Sequence, residues 1–297
     1  MRRAAIQIAV LTAIFAGVYV GLRAIPATNC QFLHYDQTVV TADGLEYCGA
    51  GKSLFMDLTR LNFPVSLKLT ADAAPALGQT AHYTLELVTT DGRTLRPSEL
   101  ALTHTRLLHV LVIDPTLEDY QHIHPEPDGD SGRWSFSFAP ARAGTYKIYA
   151  EFVPAVSLRQ VVGATDLVVP GAPEHGVIRG FTPNLEDGYT ITLTTPSGAP
   201  AVNVDLPLTL SVTRADGAPV KLEPVMGALA HLVAFDQGHH GYAHLHPVQT
   251  GHETDPRQPQ LSFVYNTALP GRYRLWAQVQ LDGRERFLPF DIDVKAD

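Results

Sequence analysis

The chain has 297 residues, is 45% hydrophobic and carries a formal charge of −8. That length suits two domains better than one, and the apolar fraction is ordinary for a globular protein. The acidic balance, with no basic cluster to offset it, excludes a nucleic-acid partner.

Residues 1–25 read as a membrane segment. Arg2 and Arg3 precede an apolar run, Ala4–Leu22, broken only by Gln7 and Thr12. At a rise of ~1.5 Å per residue such a run reaches ~28 Å, close to the hydrocarbon thickness of a bilayer. The expectation is an uncleaved single-span anchor in the cytoplasmic membrane. A cleaved signal is the alternative, although Arg23 and the Ile25-Pro26-Ala27 sequence make a poor cleavage site. The arginines stay cytoplasmic, so the rest of the chain faces the periplasm or the cell exterior.

Residues 26–64 form a connector. Cys30 and Cys48 are the chain's two cysteines, and an even count in an exported protein predicts a disulfide. Such a bridge would contribute ~3 kcal/mol by loop closure. A metal site built from Cys30, His34 and Cys48 stays open as the alternative. Ser53–Leu61 predicts a short helix capped by Ser53 and ended before Pro64.

From Val65 the pattern changes to short strands and turns. Residues 65–71, 82–90, 107–114, 133–140, 145–155 and 161–170 have the alternation and β-formers of strands, with a turn at Asp91-Gly92. Residues 189–195, 206–214, 229–236, 241–247, 260–266, 272–281 and 289–294 follow in the same order, with a turn at Asp216-Gly217. The fold class is therefore all-β: two tandem immunoglobulin-like or cupredoxin-like β-sandwiches, 65–170 and 188–297, joined by a linker over 171–187 and preceded by an N-terminal transmembrane helix.

The repeat is sharpest at His104–Pro125, HTRLLHVLVIDPTLEDYQHIHP, which returns without a gap as Met226–Pro247, MGALAHLVAFDQGHHGYAHLHP. His109 maps on His231, Asp114 on Asp236, Tyr120 on Tyr242, His122 on His244 and His124 on His246. Nine of the 13 histidines fall in these two windows. Side chains alternate along a strand, so His122 and His124 share a face, as do His244 and His246. His109 and His231 lie in strands apolar at nearly every position, which predicts burial on both sides. Each repeat can thus bring three imidazoles together, and imidazole is the commonest neutral metal ligand. The position five before the core histidine, His104 in one repeat and Met226 in the other, offers a fourth ligand. On that reading the second site, softened by the thioether, prefers Cu(I), and the first suits Cu(II) or Zn(II). His239 and His240 read as extra donors beside the second site. Copper is the expected ion and zinc the second choice. Neither repeat contains a cysteine, which excludes a blue-copper centre, and no HExxH, GxSxG or P-loop pattern is present.

With its strand-borne His, His-x-His-Pro and later Gly-x-Tyr strand (Gly144-Thr-Tyr146 and Gly271-Arg-Tyr273), each repeat resembles β-sandwich domains of the bacterial envelope. It is more loosely similar to the small copper-resistance sandwiches of the periplasm. More distantly it is similar to two-domain copper monooxygenases, though the ligand order matches only in part and their paired cysteines are missing. The resemblance implies an exported, membrane-tethered protein that handles metal. Three functional readings remain: a metal-binding envelope protein with an envelope protein as partner, which is non-enzymatic; a structural or protein-interaction module whose histidines are structural; and, third, a copper-dependent oxidoreductase.

Overall fold

The computed structural model describes residues 2–24, 38–41, 44–47, 53–61, 63–172, 175–196, 199–248 and 255–296. Cys30, Cys48 and His34 lie outside the described residues, and so does the question of the disulfide. The chain forms two units, Met1–Phe32 and Leu33–Asp297. The first contains one helix, Arg2–Ala24, whose large apolar side chains, Ile8, Leu11, Phe15 and Val18 among them, are exposed. Among the described residues no helix is long and apolar enough to cross a membrane, which departs from the expected span.

The second unit is almost entirely β and contains both repeats. In the first, Val65–Ala71, Ala81–Thr89, Arg133–Phe138 and Glu126–Pro127 make one sheet. The facing sheet contains Val161–Val169, Gly144–Pro154, His109–Ile113 and Tyr120–Ile123, paired antiparallel in that order. The second repeat repeats the design. Tyr189–Thr194, Leu206–Arg214 and Gln260–Asn266 face Arg284–Val294, Gly271–Leu281, His231–Asp236 and Gly241–Leu245. Alternation decides which residues point inward. Along Arg133–Phe138, Trp134, Phe136 and Phe138 are buried and the residues between them are exposed. Each sandwich fills its own core this way, around Leu85, Trp134 and Phe152 in one and Leu210, Phe263 and Phe290 in the other.

A third core lies between the repeats. In His109–Ile113 all five residues are buried: Val110 and Val112 pack into their own sandwich, while Leu111 and Ile113 face the other repeat. Leu232 and Ala234 likewise face inward, and Val233 and Phe235 face the seam. Tyr120 packs on Phe235 and Trp276, and Tyr149 on Tyr242, across this boundary. The continuous apolar runs thus reflect strands covered on both faces, the second cover being the sister repeat. Each large apolar side chain buried in the seam contributes about 1.5–3 kcal/mol.

The expected helix at Ser53–Leu61 is replaced by two short strands. Ser53–Leu54 pairs in parallel with Tyr265 and Asn266, and Met56–Asp57 pairs antiparallel with Gly241 and Tyr242. The connector therefore stitches onto the outer strands of both sheets of the second sandwich. Tertiary pairing overrides the weak local helix signal, because both outer strands offer unmatched backbone groups. Gly241 permits the approach: a Cβ there would lie 1.7 Å from the Met56 carbonyl oxygen. The linker is also more ordered than expected, since Asn184–Glu186 adds a strand beside Tyr189.

Candidate metal centre

In both repeats the turn after the core strand is organised by its terminal aspartate. Asp114 accepts from the Glu118 and Asp119 amides, and Asp236 from the His240 and Gly241 amides. These bonds aim the chain back along its own strand. The resulting register sets Leu111 opposite His122 and Val233 opposite His244. Extending it sets His124 beside His109 and His246 beside His231. The sequence triads therefore form as expected: within each, one ring nitrogen per histidine lies within 4.8 Å of the others.

The outer hydrogen bonds fix which nitrogen points inward. His109 Nε2–H donates to the Thr103 carbonyl at 2.8 Å. His122 Nδ1 lies 2.9 Å from Gln278 Oε1, and that amide is oriented by its own Nε2–H, which donates to Glu285 at 3.0 Å. His122 Nδ1 must therefore carry the proton. Burial holds His109 at about 3 and His122 well below its ordinary value, so both rings are neutral and each has one proton. Those protons are committed outward. His109 Nδ1 and His122 Nε2 are left facing each other at 3.2 Å, two lone pairs with no proton between them. His124 Nε2 is buried with no hydrogen-bond partner.

The second triad repeats this geometry. His231 Nε2–H donates to the Val225 carbonyl at 3.0 Å, and its Nδ1 lies 3.1 Å from His244 Nε2. His246 Nε2 is again buried and unpartnered. The outer partner of His244 is a carboxylate: its Nδ1 stands 3.5 Å from Glu151 Oε2, an ion-pair distance too long for a strong hydrogen bond. Burial by itself would raise the Glu151 carboxyl, but His244, with His109 and the donating Tyr242 hydroxyl, holds it at about 2. Burial also pushes His231 and His246 well down, and His104 and His124 to about 4.

Glu151 and Gln278 escaped the sequence reading. Both lie next to a core histidine in the neighbouring strand, Glu151 opposite His109 and Gln278 opposite His231. They occupy matched positions, each a polar residue in a short apolar stretch (IYAEFV and LWAQV), and that was the available signal. Each reaches across the seam to the other repeat's histidine. The exchange is reciprocal, as in a two-fold interface. It brings the triads together, with the His122 and His244 ring centres 5.2 Å apart.

Other expectations are corrected. His104 does not complete the first triad. Its ring centre is 3.8 Å from that of His246 and 6.3 Å from that of His109. Met226 occupies the matching turn and is half-buried. His239 and His240 are not beside the second triad. They lie at the far end of strand His231–Asp236, where His239 donates to the Pro115 carbonyl and His240 pairs with Asp236.

The donor chemistry fits a borderline cation. Three imidazoles per site converge, and in the first site the opposite nitrogens of two of them are engaged by carbonyl and amide oxygens, the arrangement that orients imidazole ligands. Zinc and copper both accept all-imidazole sets.

The family described as Domain of unknown function (DUF8832) matches residues 63–165 and again residues 184–296. No curated protein matches the sequence. Among solved structures, a Corynebacterium diphtheriae protein provisionally described as membrane anchored is 15% identical over 77% of this chain and 57% of that one, at a TM-score of 0.23. This chain thus spans little more than half of that protein's length. The fibronectin(III)-like modules of Clostridium thermocellum CbhA are 14% identical over 77% of this chain and 95% of that one, at a TM-score of 0.21. Likenesses at that level carry no functional information, and none of these matches is a copper-resistance protein.

Proposed function

This chain belongs to the DUF8832 family, whose domain it carries twice, and on that premise we propose that it binds metal ions, copper foremost and zinc second, at paired three-histidine sites. One observation carries the reading. In the first triad, His109 Nδ1 and His122 Nε2 face each other at 3.2 Å while the protons of both rings are committed to Thr103 and Gln278. Two buried lone pairs at that distance repel unless a cation lies within reach of both. His124 Nε2, buried and unpartnered, supplies the third donor. A purely structural set would satisfy these atoms, whereas in the first triad only the outward nitrogens of His109 and His122 have partners. We further place the protein at the cell envelope, held to the membrane by Arg2–Ala24, whose exposed apolar side chains have the character of an anchor. The role is binding rather than turnover, and an envelope protein is the partner that would exchange the ion.

The test is titration of the detergent-solubilised full chain with Cu(I), Cu(II) and Zn(II) against a chromophoric chelator. Two ions per chain are expected, with one lost in His122→Ala and the other in His244→Ala. If the wild-type chain holds none of the three more tightly than the double variant, the metal reading is wrong.

A further inference from the structure

His104 sits at the tip of a two-residue hairpin. Thr103 and Arg106 exchange backbone hydrogen bonds of 2.7 and 3.0 Å around His104 and Thr105, whose φ values are +48° and +68°. Val225 and Ala228 exchange the same pair around Met226 and Gly227, at +50° and +77°. Such turns favour Asn and Gly, because both central residues are left-handed. The second repeat keeps glycine at one of the two places. The first has His followed by a β-branched Thr, and the Thr is strained where the second repeat has glycine. The two tips meet: a Cβ on Gly227 would lie 3.7 Å from Thr105 Cγ2. A tip that reaches its own counterpart across a two-fold axis presents its side chain to the opposite repeat. The rings agree. His104 lies 3.8 Å from His246, 6.0 Å from His231 and 6.4 Å from His244, centre to centre.

Resting on the metal reading above, we propose that His104 is a ligand in trans: it completes the second triad, so that this ion is held by His104, His231, His244 and His246 from both repeats. The site is then all-imidazole with a carboxylate, Glu151, behind His244, and suits Zn(II) or Cu(II). Loading the second site also ties the two sandwiches together through the ion.

The experiment isolates each site in the full chain. His122→Ala leaves the second triad intact and His244→Ala leaves the first. Zn(II) affinity is measured for each, with and without His104→Asn. Asn suits a left-handed position, so the turn is preserved and unfolding of the metal-free chain reports whether it is. In the His122→Ala chain, His104→Asn should weaken Zn(II) by at least about tenfold. In the His244→Ala chain it should change affinity less than about twofold. The opposite pattern places His104 on the first triad and overturns the proposal, as does an equal effect, or none, in both chains. If neither single-site chain binds Zn(II) or copper before His104 is touched, it is the metal reading itself that fails.

Discussion

At one end of the seam between the repeats, Arg274 is buried with every arm occupied. Its Nε donates to Asp291 at 2.5 Å, Nη1 to the Leu117 carbonyl at 2.9 Å and to Glu118 at 3.1 Å, and Nη2 to the Val177 carbonyl at 2.6 Å. Arg179 adds a second cation to Glu118. At the other end, four residues along the same strands, the first triad presents neutral rings whose inward nitrogens have no proton to share, and the second repeats the spacing. The first end joins first repeat, linker and second repeat with its charges matched. The second is matched only at the outer nitrogens of His109, His122 and His231. Symmetry differs too. The histidine end is nearly two-fold, whereas Lys147, the counterpart of Arg274, pairs with Asp166 in solvent. A buried polar cluster that is complete contributes to structure. One left incomplete on its inner side carries an unmet polar cost, and that cost is what the proposed ion would relieve.

The comparison breaks most directly at the arginine. Arg274→Ala leaves the carboxylates of Glu118 and Asp291 buried without their main partner, and should lower the unfolding free energy in urea by ~3–5 kcal/mol. A loss below ~1 kcal/mol would show the network to be dispensable and the contrast empty.

The histidine end should be revealed by acid. In the folded chain His109 titrates near 3 and His104 and His124 near 4, whereas the unfolded chain titrates near the ordinary 6.5. The unfolded state therefore binds more protons between these values. Stability of the metal-free chain is flat above about pH 6.5 and falls as pH drops from there towards 4. Each ring steepens the fall by at most ~1.4 kcal/mol per pH unit, less at His104 and His124, which keep some solvent. Thermal melts of the metal-free chain across pH 4.5–8 would check this. A profile unchanged by His109→Gln would mean that this ring is not held neutral.

The smallest effect sharpens the contrast between the two triads. Glu151→Gln should weaken the second site by about tenfold, ~1.4 kcal/mol, and Gln278→Glu should strengthen the first by a similar factor. Single-site titrations in the His122→Ala and His244→Ala backgrounds would read both. Identical responses at the two sites would remove the assigned asymmetry.

Much of this was legible in the chain. Gapless repetition of His109, His122 and His124 as His231, His244 and His246 needs only strand alternation to bring three rings together. The double burial of LLHVLVID follows from its unbroken apolar run. What covers the second face does not, because nothing local says that the sister repeat docks there. For the same reason the surroundings of His104 were hidden: spacing along the chain cannot report that its ring packs on His246 of the other repeat. Ser53–Leu61 failed for a related cause, since its conformation is chosen by strands more than 180 residues away.

That short clip, Ser53–Leu54 and Met56–Asp57, has a practical consequence. It precedes the first family match at residue 63, so a fragment cut to that boundary would omit it. The strands Gln260–Asn266 and Gly241–Leu245 would then both present open backbone donors and acceptors on one flank of the second sandwich. Open flanks of that kind template strand addition between molecules. A fragment beginning at residue 63 should therefore self-associate and precipitate through that flank, while one beginning at residue 53 keeps its own cover.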